Sequence, residues 1–275
     1  MKKFFITAII CILALQGAQA QRLVILHTND THSQIEPIRF GRNDDRGGVH
    51  RRLQFINEAR TKYGKNKVLL LDAGDYNQGT PYFTVAKGDL ELELMNALGY
   101  DVVAMGNHEL DNGQEELLRR LSMANYPTLC CNYDFSNTVL KDVIKPYTIV
   151  KRGGLKIGII GVTTNLKASV SVSALVGLIR LNTIEEINKY AAYLKNEQKC
   201  DLVILLSHLG FDGGNYDIPS DDVAAAESYD IDIIIGGHSH TFIEEPLYVK
   251  NKNGKDVIIV TAGEKGIEVG ELKIF

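Results

Sequence analysis

The chain has 275 residues, 45% of them hydrophobic and 23% charged, with a net charge of −4. That mildly acidic balance gives no basis for a nucleic-acid surface. It does not exclude a phosphate substrate, because bound divalent cations dominate a local field. The length suits one large domain or two small ones, with enough chain to bury a sizeable core.

Residues 1–20 read as a secretory signal peptide. Lys2 and Lys3 give a positive start, residues 4–15 are almost wholly apolar, and Ala18-Gln19-Ala20 is a small-x-small cleavage site. A mature start at Gln21 is expected, which moves the net charge to −6. The apolar stretch is too short for a bilayer; an uncleaved N-terminal anchor is the alternative. Cys11 follows Ile10, which is too large for a lipoprotein cleavage site. No later span appears, so the expected product is exported and soluble, periplasmic or secreted. Three cysteines remain after cleavage, Cys130, Cys131 and Cys200. An odd number with two adjacent gives no disulfide framework, so all three are expected to be reduced and buried.

Strand-like runs then alternate with helical patterns, which favours an α/β fold. The first helix is expected over residues 48–63, with Val49, Leu53 and Ile56 on one face. A second spans 89–98, with Leu90, Leu94 and Leu98 aligned. A third follows Asn112, with Glu115 placed to complete a capping box, and Thr183 with Glu186 forms another ahead of Ile187, Ala191 and Leu194. Further strands are expected at 128–132, 147–150, 156–160, 257–261 and 267–274. No linker divides residues 21–275, so one domain is expected, ending directly after its last strand.

Five other apolar runs each lead into a cluster of Asp, His and Asn. They end at Asp30-Thr31-His32, Asp72-Ala73-Gly74-Asp75, Gly106-Asn107-His108-Glu109, Ser207-His208 and Gly236-Gly237-His238-Ser239-His240. The runs are continuous rather than alternating, which marks strands covered on both faces. Open α/β sheets bind ligands outside the carboxyl ends of their strands. Singly, Asp30 and Asp75 fit turn carboxylates, Asn107 a tight turn and His208 a core histidine. Yet five of the seven histidines fall in these clusters, which scattered structural histidines would not do. The donor set is O and N without thiolate, suited to Zn²⁺, Mn²⁺, Fe or Co. Two neighbouring ions need a shared ligand against their repulsion, so a central bridging Asp is expected.

These motifs, with His27-Thr28-Asn29-Asp30 and Gly74-Asp75 followed by Gly79, resemble the calcineurin-like metallophosphoesterases in order and type. The extended forms resemble one branch, the secreted 5′-nucleotidase and 2′,3′-cyclic phosphodiesterase family. The resemblance covers residues 22–275 and implies a four-layer αββα sandwich of two mixed sheets flanked by helices. It further implies a dinuclear site. Asp30, His32 and His240 would bind one divalent ion, Asn107, His208 and His238 the second, and Asp75 would bridge them. His108 and Asp111 would form a catalytic pair, with Asp111 fixing the imidazole and His108 stabilising the transition state or protonating the leaving group. The implied reaction is release of phosphate from 5′-nucleotides by attack of metal-activated water.

The chain is expected to depart from that branch in lacking the C-terminal domain that, in members of the branch, supplies arginines for phosphate and stacked aromatics for the base. A separate protein carrying such a domain is therefore an expected partner. Broader activity on cyclic nucleotides or non-nucleotide esters is an alternative, and a non-catalytic metal-binding module is another. Of the remaining residues, His27 is expected to be packed or to support a ligand, and His50 to be solvated. Glu109 is expected to support a neighbouring ligand, or else to sit at a helix entry or on the surface. Tyr82 and Phe83 contact substrate or pack in the core, and residues 211–217 form a loop at the edge of the site.

Overall fold

The structure is a computed structural model that describes residues 22–39, 41–211 and 218–275. The expected signal segment and residues 212–217 of the expected edge loop lie outside the described residues. In chain order the strands are β1 (Leu23–Thr28), β2 (Val68–Asp72), β3 (Val102–Ala104), β4 (Thr128–Leu129), β5 (Tyr133–Asp134), β6 (Ile144–Lys145) and β7 (Tyr147–Arg152). They continue with β8 (Leu155–Thr163), β9 (Ile179–Arg180), β10 (Leu202–His208), β11 (Ile233–Ile235), β12 (Leu247–Lys250), β13 (Asp256–Val260) and β14 (Gly270–Ile274). The α-helices are α1 (Val49–Tyr63), α2 (Pro81–Ala86), α3 (Asp89–Leu98), α4 (Gly113–Leu121), α5 (Thr183–Ala192) and α6 (Asp221–Glu227).

Two six-stranded mixed sheets carry the fold. The first runs β14-β1-β2-β3-β4-β6 and the second β12-β13-β11-β10-β8-β7. Strands β1 to β4 and β6 are parallel neighbours, as are β8, β10, β11 and β13; β14, β12 and β7 join antiparallel at the edges. Strand alternation explains the continuous apolar runs. Leu23, Ile25, Leu69 and Leu71 of the first sheet meet Ile157, Ile159, Ile204 and Ile233 of the second in one buried layer. The opposite faces of β1 and β2, through Val24, Leu26 and Leu70, pack on α1 and α3. Val203, Leu205 and Ile234 pack on α5 and α6. This is the four-layer α/β sandwich the resemblance implies. The sheets approach so closely at β8 that a Cβ on Gly161 would lie 2.4 Å from the Leu129 carbonyl carbon.

Several local expectations shift. α3 buries Leu92, Met95 and Leu98 together with Glu91, not the Leu90–Leu94–Leu98 line. The rotation turns Glu91 inward, where it accepts from the Ser33 hydroxyl. Neither expected capping box forms. Asn112 precedes α4 without a side-chain cap. Asn182, not Thr183, caps α5, accepting from the Glu185 backbone while its amide donates to the Glu185 carboxylate at 2.9 Å. Thr183 has moved into the first turn, where its hydroxyl accepts from Asn132. Residues 128–132 do not hold one strand; pairing stops after Leu129. The last strand starts at Gly270 rather than 267, because Gly270 pairs with His27 near the end of β1. Cys130, Cys131 and Cys200 are free and buried.

Candidate metal centre

The carboxyl ends of β1, β2, β3, β10 and β11 converge, and the side chains singled out from the sequence gather there. The backbone is bent to achieve it. Asp30, His32, Asp75, His238 and His240 have φ between 45° and 72°. That left-handed region costs a non-glycine residue on the order of 1 kcal/mol and clusters at functional sites. In the loop after β11 it separates neighbours: His238 turns toward Asp75 and His208, and His240 toward Asp30 and His32.

Two groups result. The ligand-capable atoms of Asp30, His32 and His240 lie within 4.8 Å of one another, as do those of Asp75, His208 and His238. The groups adjoin: Oδ1 of Asp30 is 3.4 Å from Nε2 of His240, 3.7 Å from Nε2 of His32 and 3.9 Å from Nε2 of His208. Asn107, the neighbour of His108 in the chain, is also buried.

Hydrogen bonds at the outer nitrogens fix which ring atoms face inward. His208 Nδ1 donates to the Ala73 carbonyl at 2.7 Å, so Nε2 is the atom turned toward the carboxylates. His32 Nδ1 donates to the Asn77 carbonyl at 3.3 Å. His240 Nδ1 lies 3.1 Å from a Glu264 carboxylate oxygen. The Nε2 atoms of His32 and His240 then face each other at 2.9 Å. With both outer nitrogens protonated, two lone pairs would meet at that distance, an arrangement that calls for a cation between them.

The buried polar atoms make the same demand. Asp30 Oδ1, Asn107 Oδ1 and His208 Nε2 are buried without a hydrogen-bond partner. His208 Nε2 lies 3.0 Å from Asp75 Oδ2 but off hydrogen-bond alignment. Burial works against charge on His208, yet Asp75 and Asp30 raise its pKa to about 10. Burial likewise works against the Asp75 carboxylate, and the His208 charge holds it well below the usual range. The carboxylates need positive charge among them. His238 behaves oppositely: burial, then the charge on His208, lowers it to about 4 and keeps it a neutral donor.

At the rim, His108 Nδ1 and Asp111 Oδ2 are 2.8 Å apart. The hydrogen bond to Asp111 raises the His108 pKa against its partial burial. The His108 backbone N–H donates to Asp75 Oδ1 at 2.8 Å, so the pair is tied to the centre. Glu109 is fully buried and takes the N–H groups of Asp75, Tyr76 and Gly106 at 3.1, 3.2 and 2.6 Å. His27 packs within β1 and His50 is exposed. Tyr82 and Phe83 lie on α2 outside the buried core, with Tyr82 exposed.

Sequence reasoning passed over Glu264 and the bracing role of Asn29. Asn29 donates to Asp30 Oδ2 and to the Gly263 carbonyl and accepts from Ala262 N–H. Glu264, and the Ala262 and Gly263 that Asn29 holds, belong to a sixth strand end, Thr261-Ala262-Gly263-Glu264 after β13. The strand was legible, and a carboxylate at its carboxyl end was the signal that could have drawn attention.

The sequence profile of the calcineurin-like phosphoesterases matches residues 23–242. The chain is 35% identical over 280 residues to the snake venom 5′-nucleotidase of Gloydius brevicauda, covering 94% of this chain and 46% of that protein. It is 32% identical to the 5′-nucleotidase of Vibrio cholerae, over 86% of this chain and 43% of that one. Among solved structures, the 5′-nucleotidase precursor of Thermus thermophilus superposes with a TM-score of 0.81 at 33% identity, covering 92% of this chain and 51% of that one. The NAD nucleotidase of Haemophilus influenzae gives 0.80 at 32% identity, over 91% and 46%. The chain thus spans about half the length of the curated relatives it matches.

Proposed function

Because this chain belongs to the calcineurin-like phosphoesterases, metal-dependent phosphoester hydrolases that use two divalent cations, we propose that it releases phosphate from 5′-nucleotides. One observation carries the reading: two carboxylate–imidazole groups stand side by side, with unpartnered inward atoms, in a chain similar to 5′-nucleotidases. Asp30, His32 and His240 would hold one cation, Asn107, His208 and His238 the other, and Asp75 both. When bound, the cations supply positive charge for phosphoryl oxygens and lower the pKa of water. The N/O donor set suits Zn²⁺, Mn²⁺, Fe or Co.

The chain's own groups then act around that centre. Hydrogen bonds from the His32 and His208 Nδ1 atoms to main-chain carbonyls keep their Nε2 lone pairs inward. Asp111 holds the His108 imidazole and favours its protonated form. His108 at the rim delivers a proton to the departing nucleoside oxygen, a poor leaving group without one. In the test, purified protein supplied with Mn²⁺ or Zn²⁺ releases phosphate from 5′-AMP, and Asp75→Asn abolishes release. Absence of turnover on every nucleotide, with or without an added partner protein, would overturn the proposal.

A second reading is a broader phosphomonoesterase or phosphodiesterase. It is favoured because the chain is similar, at 32% identity, to the NAD nucleotidase of Haemophilus influenzae as well as to 5′-nucleotidases. Comparing 5′-AMP, NAD, 2′,3′-cyclic AMP and a sugar phosphate at equal concentration separates the two; a strong preference for 5′-AMP removes the broader one. We also propose that residues 21–275 act as one catalytic unit, exported through the Lys2–Lys3 start and apolar segment. Among the described residues no helix is long and apolar enough to cross a membrane.

A further inference from the structure

Glu264 lies outside the five Asp-, His- and Asn-rich strand-end motifs, yet one of its carboxylate oxygens lies 3.1 Å from His240 Nδ1. The same oxygen lies 3.1 Å from Lys265 Nζ. The segment that carries it is fastened to the opposite sheet. Lys265 N–H donates to the Asp30 carbonyl at 2.6 Å, and Asn29 clamps Ala262 and Gly263 from both sides. Glu264 is therefore held in place relative to Asp30 by main-chain bonds, independently of His240.

His240 has no such anchorage. Its side chain is 40% exposed and its backbone occupies the left-handed region. His32 and His208 have outer nitrogens fixed by main-chain carbonyls, whereas His240 depends on one side chain.

We propose that Glu264 is a positioning residue for the centre. It accepts the Nδ1 proton of His240, selects the tautomer with a bare Nε2, and aims that atom at the cation shared with Asp30 and His32. This rests on the two-cation reading above. A carboxylate in this role raises the basicity of the imidazole, and removing such partners weakens metal affinity by about 10–100-fold.

The test is calorimetric titration of the metal-free purified chain with Mn²⁺ alone, beside thermal unfolding of the metal-free form. Wild type shows two binding events; His32→Ala abolishes one and His238→Ala the other. Glu264→Ala is expected to weaken only the event lost in His32→Ala, by about 10–100-fold. Glu264→Gln, which keeps an acceptor oxygen, retains most of the affinity. The metal-free melting temperature is unchanged in both. Wild-type affinity at both events in Glu264→Ala overturns the proposal. So does a loss at the event sensitive to His238→Ala, or equal loss at both events with a lowered melting temperature. Wild type binding fewer than two ions would instead overturn the two-cation reading, which keeps the two failures distinct.

Discussion

Gly106 packs beneath Asp75 with no room for a side chain: a Cβ there would lie 2.2 Å from Asp75 Oδ1 and 2.5 Å from its backbone nitrogen. The position requires glycine because Asp75 occupies the space, not because of backbone conformation. Gly106→Ala should push Asp75 out of line. Overpacking of this kind costs about 1–3 kcal/mol. Thermal unfolding should show that loss, and phosphate release at fixed metal concentration should fall about 10-fold or more.

Glu109 is the hub for three backbone donors around the same carboxylate. Leaving a buried donor unpaired costs about 1–3 kcal/mol. Glu109→Leu should therefore lower stability by about 3–5 kcal/mol, measured by urea unfolding of the metal-free protein. Glu109→Gln, with one acceptor oxygen left, should lose about 1–3 kcal/mol.

The His108–Asp111 pair should register in turnover rather than in metal content. His108→Ala is expected to lower kcat by about 10²–10⁴-fold, the usual contribution of a positioned acid. Both cations should stay bound. Asp111→Asn should show a smaller loss. Steady-state kinetics with metal analysis of the same samples checks both, and a His108→Ala enzyme at wild-type kcat would remove the assignment.

His27 gives a pH dependence of stability with a definite sign. Burial lowers its pKa from 6.5 to about 4. Above pH 6.5 it is neutral in both folded and unfolded chains and contributes nothing. Between pH 6.5 and about 4 the unfolded chain takes up a proton that the folded one refuses. Stability should fall across that window by about 1.4 kcal/mol per pH unit, about 3 kcal/mol in all. Urea titrations at several pH values should show this decline, and His27→Leu should flatten it.

Much of this could be read from residue order. Apolar runs announced the strands, and the clusters at their ends announced the site, since few other arrangements bring Asp30, Asp75 and His208 together. Left-handed backbone at five of these positions was not legible, because Asp and His, though enriched there, still adopt a positive φ at only a small minority of positions. The inward face of α3 also escaped, since the Ser33–Glu91 contact joins residues far apart in sequence. The same distance hid Glu264: its partner His240 lies on another strand end, and only the packing of β13 beside β11 makes them neighbours.

Each candidate group draws on both sheets. Asp30 and His32 follow β1 while His240 follows β11; Asp75 follows β2 while His208 ends β10 and His238 follows β11. A cation in either group would thus be a further crosslink between layers that also meet through side-chain packing and a few hydrogen bonds such as Lys265 N–H to the Asp30 carbonyl. Sliding one sheet over the other must release it. Each site loaded to about 100 times its Kd should add about 2.7 kcal/mol to the stability of the whole sandwich, so chelation should lower the melting temperature of the inter-sheet core and not only the activity. In this fold the catalytic centre also serves as the rivet.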